Sequence, residues 1–154
     1  MRVIFQRVTS ASVTVEEKVC GQIEQGAILL LGIHQKDTKA EADLLAKKCA
    51  ETRVFSDEED RLNLSVKDIH GGILVIPNFT LYGNCRHGRR PEFLDAARPE
   101  TAKPLFDYFI SALKENGVTK VEQGIFGADM HLDIQGDGPI TLILDSDNLK
   151  PSAK

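Results

Sequence analysis

Gly72-Ile73-Leu74-Val75-Ile76-Pro77-Asn78-Phe79-Thr80-Leu81 is the stretch on which the architecture turns. Three of its apolar residues, Ile73, Val75 and Ile76, are β-branched. The run is too short for a buried helix, so we read residues 71 to 81 as a strand. A second unbroken run, Ala27 to Ile33, has the same character and reads as a strand buried on both faces. The residues after Ile76 are small or polar (Pro77, Asn78, Thr80), with one aromatic residue, Phe79, among them. A comparable segment, Gly136-Asp137-Gly138-Pro139-Ile140-Thr141, leads into the apolar run ending at Leu144. Neither segment carries a strong acid–base pair or metal ligands, so a site built from them works through backbone geometry.

Outward from these runs the periodicity is clear. Residues 2 to 8 are rich in β-branched and aromatic types and read as a strand. Ala11, Val13 and Val15 alternate with Ser10, Ser12 and Thr14, the period of a half-buried strand. Gly21 is a candidate turn. Thr38 with Glu41 forms a capping-box pattern, and Ala42, Leu45, Ala46 and Cys49 behind it share one helix face. Residues 82 to 99 read as a polar loop. A second helix is expected from about residue 101 to 116. Its stripe is Ala102, Leu105, Phe106, Phe109, Ile110 and Leu113, with Pro104 in its first turn and Gly117 as end cap. Strands are expected near 119–123, 130–135 and 140–145. The reading is one α+β domain over residues 1–149 with a frayed tail at 150–154. Its core is a mainly antiparallel, barrel-like sheet with two main helices. So much sheet has faces and edges to cover, and a homodimer completes that burial.

The chain has 154 residues, 42% hydrophobic and 27% charged, with net charge −4. That is enough for one domain with a real core and offers no global basic field for nucleic acid. Any RNA contact must be local. No apolar run approaches the ~20 residues of a membrane span. The opening residues read as a strand rather than a signal peptide. Cys20, Cys49 and Cys85 are odd in number and lack a CxxC pair, which points to a reducing, cytoplasmic setting.

Candidate chemistry is sparse. Cys85 with His87 invites a nucleophile–base reading, but Arg86, Arg89 and Arg90 beside them suit anion contact better. His34, His70, His87 and His131 show no paired-ligand spacing, and no metal is expected. Asp57 to Asp60 reads as a solvated acidic turn. Arg86 to Arg90 forms a compact basic loop, either solvated or phosphate-binding. Thr80 offers a hydroxyl to a ligand or water, or serves structure alone. Gly138-Pro139 is ordinarily a turn, and X-Pro bonds are cis in only about 5–6% of cases, so spacing does not mark it as a site.

At these same residues the chain resembles the D-aminoacyl-tRNA deacylases. The matching segments are Gln6-Arg7-Val8, Ala11 to Val15, Phe79 to Tyr82, Arg90 to Phe93, Asp95 to Ala97, Phe126 to Met130 and Asp137 to Leu142. Together they cover nearly the whole chain in order. The resemblance implies a cofactor-free homodimer that removes D-amino acids, and glycine, from the 3′ end of tRNA. It implies that residues 77 to 80 hold the terminal adenosine, with Asn78, Phe79 and Thr80 at the reacting ester and Pro77, Phe126 and Met130 lining or supporting the pocket. It implies that Gly138-Pro139 is a cis pair, held by Arg7, whose carbonyl oxygens enter the partner's pocket and exclude L side chains. Arg86, Arg89 and Arg90 are the expected tRNA contacts. The chain departs from the family at Pro77-Asn78, where Ser-Gln is usual, and at Gly136, where Asn is usual. A divergent animal branch that removes a misattached L-amino acid also has Pro at the first position. Phe79 and Arg7 fit the standard branch. The other readings are an L-specific deacylase and an inactive tRNA-binding homologue.

Overall fold

The computed structural model describes residues 1–149; the expected tail at 150–154 lies outside them. Among the described residues, eight strands, three α-helices and one 3-10 helix follow in the order β1 (Arg2–Val15), β2 (Lys18–Ile23), β3 (Gly26–Gly32), α1 (Lys39–Glu51), β4 (Phe55–Ser56), β5 (Leu62–Leu64), β6 (Gly72–Pro77), the 3-10 helix (Phe79–Tyr82), α2 (Pro99–Glu115), β7 (Lys120–Gln123), β8 (His131–Asp145) and α3 (Ser146–Leu149).

The main sheet runs β2-β1-β3-β6-β7, with β8 on the other side of β1. It is nearly closed into a barrel: a β-carbon at Gly21 of β2 would stand 3.0 Å from the Gln123 carbonyl of β7. β1 pairs antiparallel with β2, β3 and β8, but β3–β6 and β6–β7 are parallel. The sheet is therefore mixed: its three antiparallel pairings all involve β1, and two parallel ones join β3, β6 and β7. The physical reason is that α1 and α2 act as crossovers between β3, β6 and β7, and a crossover helix returns the chain in the same direction. The apolar runs of β3 and β6, buried almost throughout, are what a parallel interior requires.

Several boundaries differ from the sequence reading. Residues 2 to 15 form one continuous strand. The chain turns not at Gly21 but at Glu16 and Glu17, whose φ values are 49° and 67°. Both central residues are left-handed, as a two-residue hairpin with right-handed twist demands, although neither is Gly or Asn. β6 ends at Pro77 and the chain then enters the 3-10 helix. α2 begins at Pro99, which leaves Pro104 in the second turn. The two expected final strands are one, β8, which runs through Gly138-Pro139. The acidic run caps the β4–β5 hairpin, where Asp57 Oδ1 accepts from the Glu59 and Arg61 N–H groups at 2.9 and 3.0 Å.

Two apolar clusters hold the fold. The larger lies where α1 and α2 cover the sheet, and the α2 stripe (Leu105, Phe106, Phe109, Leu113) meets Phe5, Leu29 and Val75 there. The smaller fills the barrel interior with Val8, Val13, Ile23, Ile28, Leu74 and Ile76. Each fully buried side chain of this size contributes about 1.5–3 kcal/mol. The Thr38 capping box forms as expected, with Glu41 accepting from the Thr38 N–H at 2.8 Å. No helix among the described residues is long and apolar enough to cross a membrane.

Cys49 is fully buried and burial pushes its thiol pKa far up, whereas Cys20 and Cys85 are exposed. A native-state thiol titration with an aromatic disulfide should therefore count two fast-reacting groups, and the third should react only in denaturant. Three fast groups would contradict this packing.

Candidate functional site

The parallel β3–β6 pair ends in a set of well-directed main-chain groups. The Asn78 N–H donates to the Leu31 carbonyl at 2.8 Å, the last rung of that ladder. Alternate residues of a strand address opposite neighbours. The donor that Pro77 lacks would therefore face β7, whose pairing with β6 has already ended at Val75 and Gln123. Proline costs little there. The 3-10 helix starts immediately afterwards, with Leu81 N–H donating to the Asn78 carbonyl at 3.3 Å and Gly83 N–H to the Thr80 carbonyl at 2.9 Å. The N–H groups of Phe79 and Thr80, in its first turn, have no intrahelical acceptor. Among the described residues they have no other backbone partner.

Side chains hold this turn in place. Thr80 Oγ1 donates to Asn78 Oδ1, which commits the hydroxyl proton and leaves the oxygen able to accept. Arg2 donates to the Leu81 carbonyl at 2.8 Å and to Asp145 at 3.0 Å, and its guanidinium lies 4.8 Å over the Tyr82 ring. Phe79 is 58% exposed, yet its ring meets that of Phe93 edge-on at 5.2 Å.

Beneath Phe79 opens a cavity of about 360 Å³. The ends of β3 and β6 supply Leu31, Ile33 and Pro77; the loop before α2 supplies Phe93, Ala96 and Ala97. Phe126 and Gly127 close one side, and Phe126 also packs on Phe106 with ring centroids 6.1 Å apart. Asn78 and Phe79 line the cavity, whereas Thr80 stands exposed next to it. Met130 is not in the lining. It packs against the smaller core, and its Sδ, with Ile76 Cδ1 and Pro77 Cδ, crowds Gly124 from behind the cavity wall. The sequence reading did not single out Ala102 or Arg98 for this site. Ala102 belongs to the buried α2 stripe, and Arg98 carries no motif of its own.

The basic loop springs from the same rim. A bridge between Asn84 and Glu92 closes its base, with N–H to carbonyl distances of 2.8 and 3.0 Å. Arg86, Arg89 and Arg90 are exposed in it. Cys85 and His87 are also exposed, and no hydrogen bond joins them among the described residues.

Gly138-Pro139 stands elsewhere on the chain. The bond is cis, Gly138 has φ +120°, and both residues are exposed in β8. A β-carbon at Gly138 would lie 2.9 Å from the Ile140 nitrogen and 3.2 Å from Arg7 Nη2. Arg7 clamps this point. Its side chain, 11% exposed, donates to the Asp137 carbonyl at 3.2 Å and to the Val54 carbonyl at 2.8 Å, and pairs with the Asp137 carboxylate at 3.2 Å. Neither Gly138 nor Pro139 lines the cavity of its own chain.

A family model described as D-Tyr-tRNA(Tyr) deacylase matches residues 4–145. The D-aminoacyl-tRNA deacylase of Koribacter versatilis is 49% identical over 146 residues, covering 95% of this chain and 97% of its own. That of Rippkaea orientalis is 52% identical over 147 residues, covering 94% and 99%. The solved structure of a c-Myc DNA Unwinding Element Binding Protein superposes with a TM-score of 0.89 at 36% identity, over 94% of this chain and 98% of that one. A probable eukaryotic D-amino acid tRNA deacylase superposes at 0.80 with 18% identity over 93% and 97%, a likeness of fold alone.

Replacing Arg7 tests the clamp. Arg7→Ala leaves two backbone carbonyls short of a donor and should cost about 1–3 kcal/mol in urea denaturation. Arg7→Lys, which lacks the fork needed to reach both, should fall between. An unchanged midpoint in both variants would show that the clamp is idle.

Proposed function

The chain belongs to the D-Tyr-tRNA(Tyr) deacylase family, and from that premise we propose that its cavity and 3-10 helix receive the aminoacylated 3′ end of tRNA. The activity is hydrolysis of the ester between a D-amino acid and the terminal ribose, which releases free amino acid and tRNA and proofreads charging. Relatives near 50% identity carry the D-specific name, and this favours the D-substrate over an L-specific reading.

One observation carries the mechanism: the unpartnered Phe79 and Thr80 N–H groups stand at the mouth of an apolar cavity of nucleoside size. An aminoacyl ester is already activated, so its hydrolysis needs positioning more than a strong nucleophile. Water adds to the ester carbonyl, and negative charge develops on that oxygen. The Phe79 and Thr80 N–H groups stabilise it there. The bond to the ribose oxygen then breaks, and the proton lost by the water ends on that oxygen. The adenosine's own neighbouring hydroxyl assists this transfer. Thr80 and Asn78 orient water or ribose. Pro77 and Phe126 hold the adenosine, and Met130 braces the wall behind Pro77. No step calls for a metal or cofactor.

Chirality is read across a homodimer. β8 has β1 on one edge and no strand on the other among the described residues. Leu132 is 37% exposed and Ile143 72%. An apolar strand with a free edge invites a second copy. In that dimer Gly138-Pro139, set by Arg7, enters the partner's cavity. Its carbonyl oxygens occupy the direction an L side chain would take. Arg86, Arg89 and Arg90 contact the acceptor-end phosphates, in the cytoplasm where tRNA is charged.

Incubation with D-Tyr-tRNA and L-Tyr-tRNA side by side tests this reading. The D substrate should be hydrolysed at least about 100-fold faster. Equal rates would remove the filter, and tRNA binding with no hydrolysis of either would leave a binding homologue. Cys85→Ala should keep the full rate, because the thiol has no part in the reaction; its loss would reinstate the nucleophile reading.

A further inference from the structure

We propose that Arg98 is the phosphate-binding residue of the cavity, taking the 5′-phosphate of the terminal nucleotide and so fixing the direction in which the substrate lies. The inference rests on the reading of the cavity as the nucleoside site. Arg98 supplies the only charged side chain among the lining residues. Its guanidinium is exposed and has no hydrogen-bond or ion-pair partner among the described residues. Arg2 and Arg7, by contrast, are committed to structural partners.

The backbone at Arg98 is fixed even though the side chain is free. Its carbonyl accepts the Thr101 and Ala102 N–H groups at 3.0 and 2.8 Å, as the residue that caps α2. A planar guanidinium on a fixed anchor suits bidentate contact with a phosphodiester. The nearby carboxylates of Asp95 and Glu100 are exposed and do not pair with it. The charge pattern also gives direction. The substrate carries an α-ammonium at its aminoacyl end and a phosphate at the other. A cation at the start of α2 attracts the phosphate and repels the ammonium, which turns the aminoacyl ester away from Arg98 and toward the end of β6, where Phe79 lines the cavity.

The test compares adenosine 5′-monophosphate with adenosine as ligands of the full chain, by calorimetry or NMR titration. Wild type should bind the monophosphate about 10-fold more tightly, with a preference that shrinks as salt rises. In Arg98→Ala the preference should collapse to about one, and Arg98→Lys should restore part of it. A wild-type ratio of one, or an undiminished ratio in Arg98→Ala, overturns the assignment. If Arg98→Ala does not fold, the wild-type ratio and the Arg98→Lys ratio still decide. With D-Tyr-tRNA the Arg98→Ala lesion should raise KM and leave kcat within about twofold. A preference for the monophosphate in a protein that hydrolyses no D-aminoacyl ester would refute the deacylase reading and leave the phosphate site standing.

Discussion

The hydrogen bond from the Asn78 N–H to the Leu31 carbonyl is the constraint on which the site depends. It closes the parallel β3–β6 ladder and fixes where the chain leaves it. One residue later the 3-10 helix begins, and the N–H groups of Phe79 and Thr80 in its first turn have no backbone partner among the described residues. Arg2 ties the far end of that helix to β8 through Leu81 and Asp145. In the proposed reaction, donors held at both ends need no reorganisation when charge develops, and that is the condition under which backbone dipoles stabilise an oxyanion well.

The two apolar clusters explain why the cavity lies where it does. Cavity walls come from the ends of buried strands and from the start of α2, where the larger core thins out toward solvent. The lining is therefore apolar by continuity with the core, and polarity enters only through the main chain, Asn78 and Arg98. That composition suits a flat nucleoside with one charged end. It also suits a reaction whose energetic difficulty is orientation, since the strong acid–base residues of many hydrolases have no place in this wall.

Much of this was legible in the residues. The α1 capping box, the α2 stripe and the β3 and β6 runs all obey local rules, and core packing agrees with them. The mixed topology was not legible, because hairpin spacing at the two ends of the chain says nothing about the crossovers in the middle. The Glu16–Glu17 turn carries none of the residues that favour positive φ, so the neighbouring Gly21 drew attention instead. Pro77 looked like a flaw until the register showed that its missing donor faces an edge where pairing has ended. Gly138-Pro139 lay in a segment that drew notice, but spacing gave it no more than an ordinary turn, and its role came from the family resemblance. Arg98 gave no sign, because nothing in sequence says that a side chain before a helix will overlook a cavity.

Arg7 holds Asp137, next to Gly138, from within the same chain, whereas in the proposed dimer the cavity that Gly138-Pro139 guards belongs to the partner. A mixed-dimer experiment tests that division of labour most directly. One protomer carries Ala96→Trp to obstruct its cavity; the other carries Gly138→Ala and Pro139→Ala to disable its filter. The account predicts that mixed dimers regain hydrolysis restricted to the D substrate, because one cavity and one filter meet across the interface. Mixed protein that behaves only as the sum of its two parents, or a chain that remains monomeric, would contradict it.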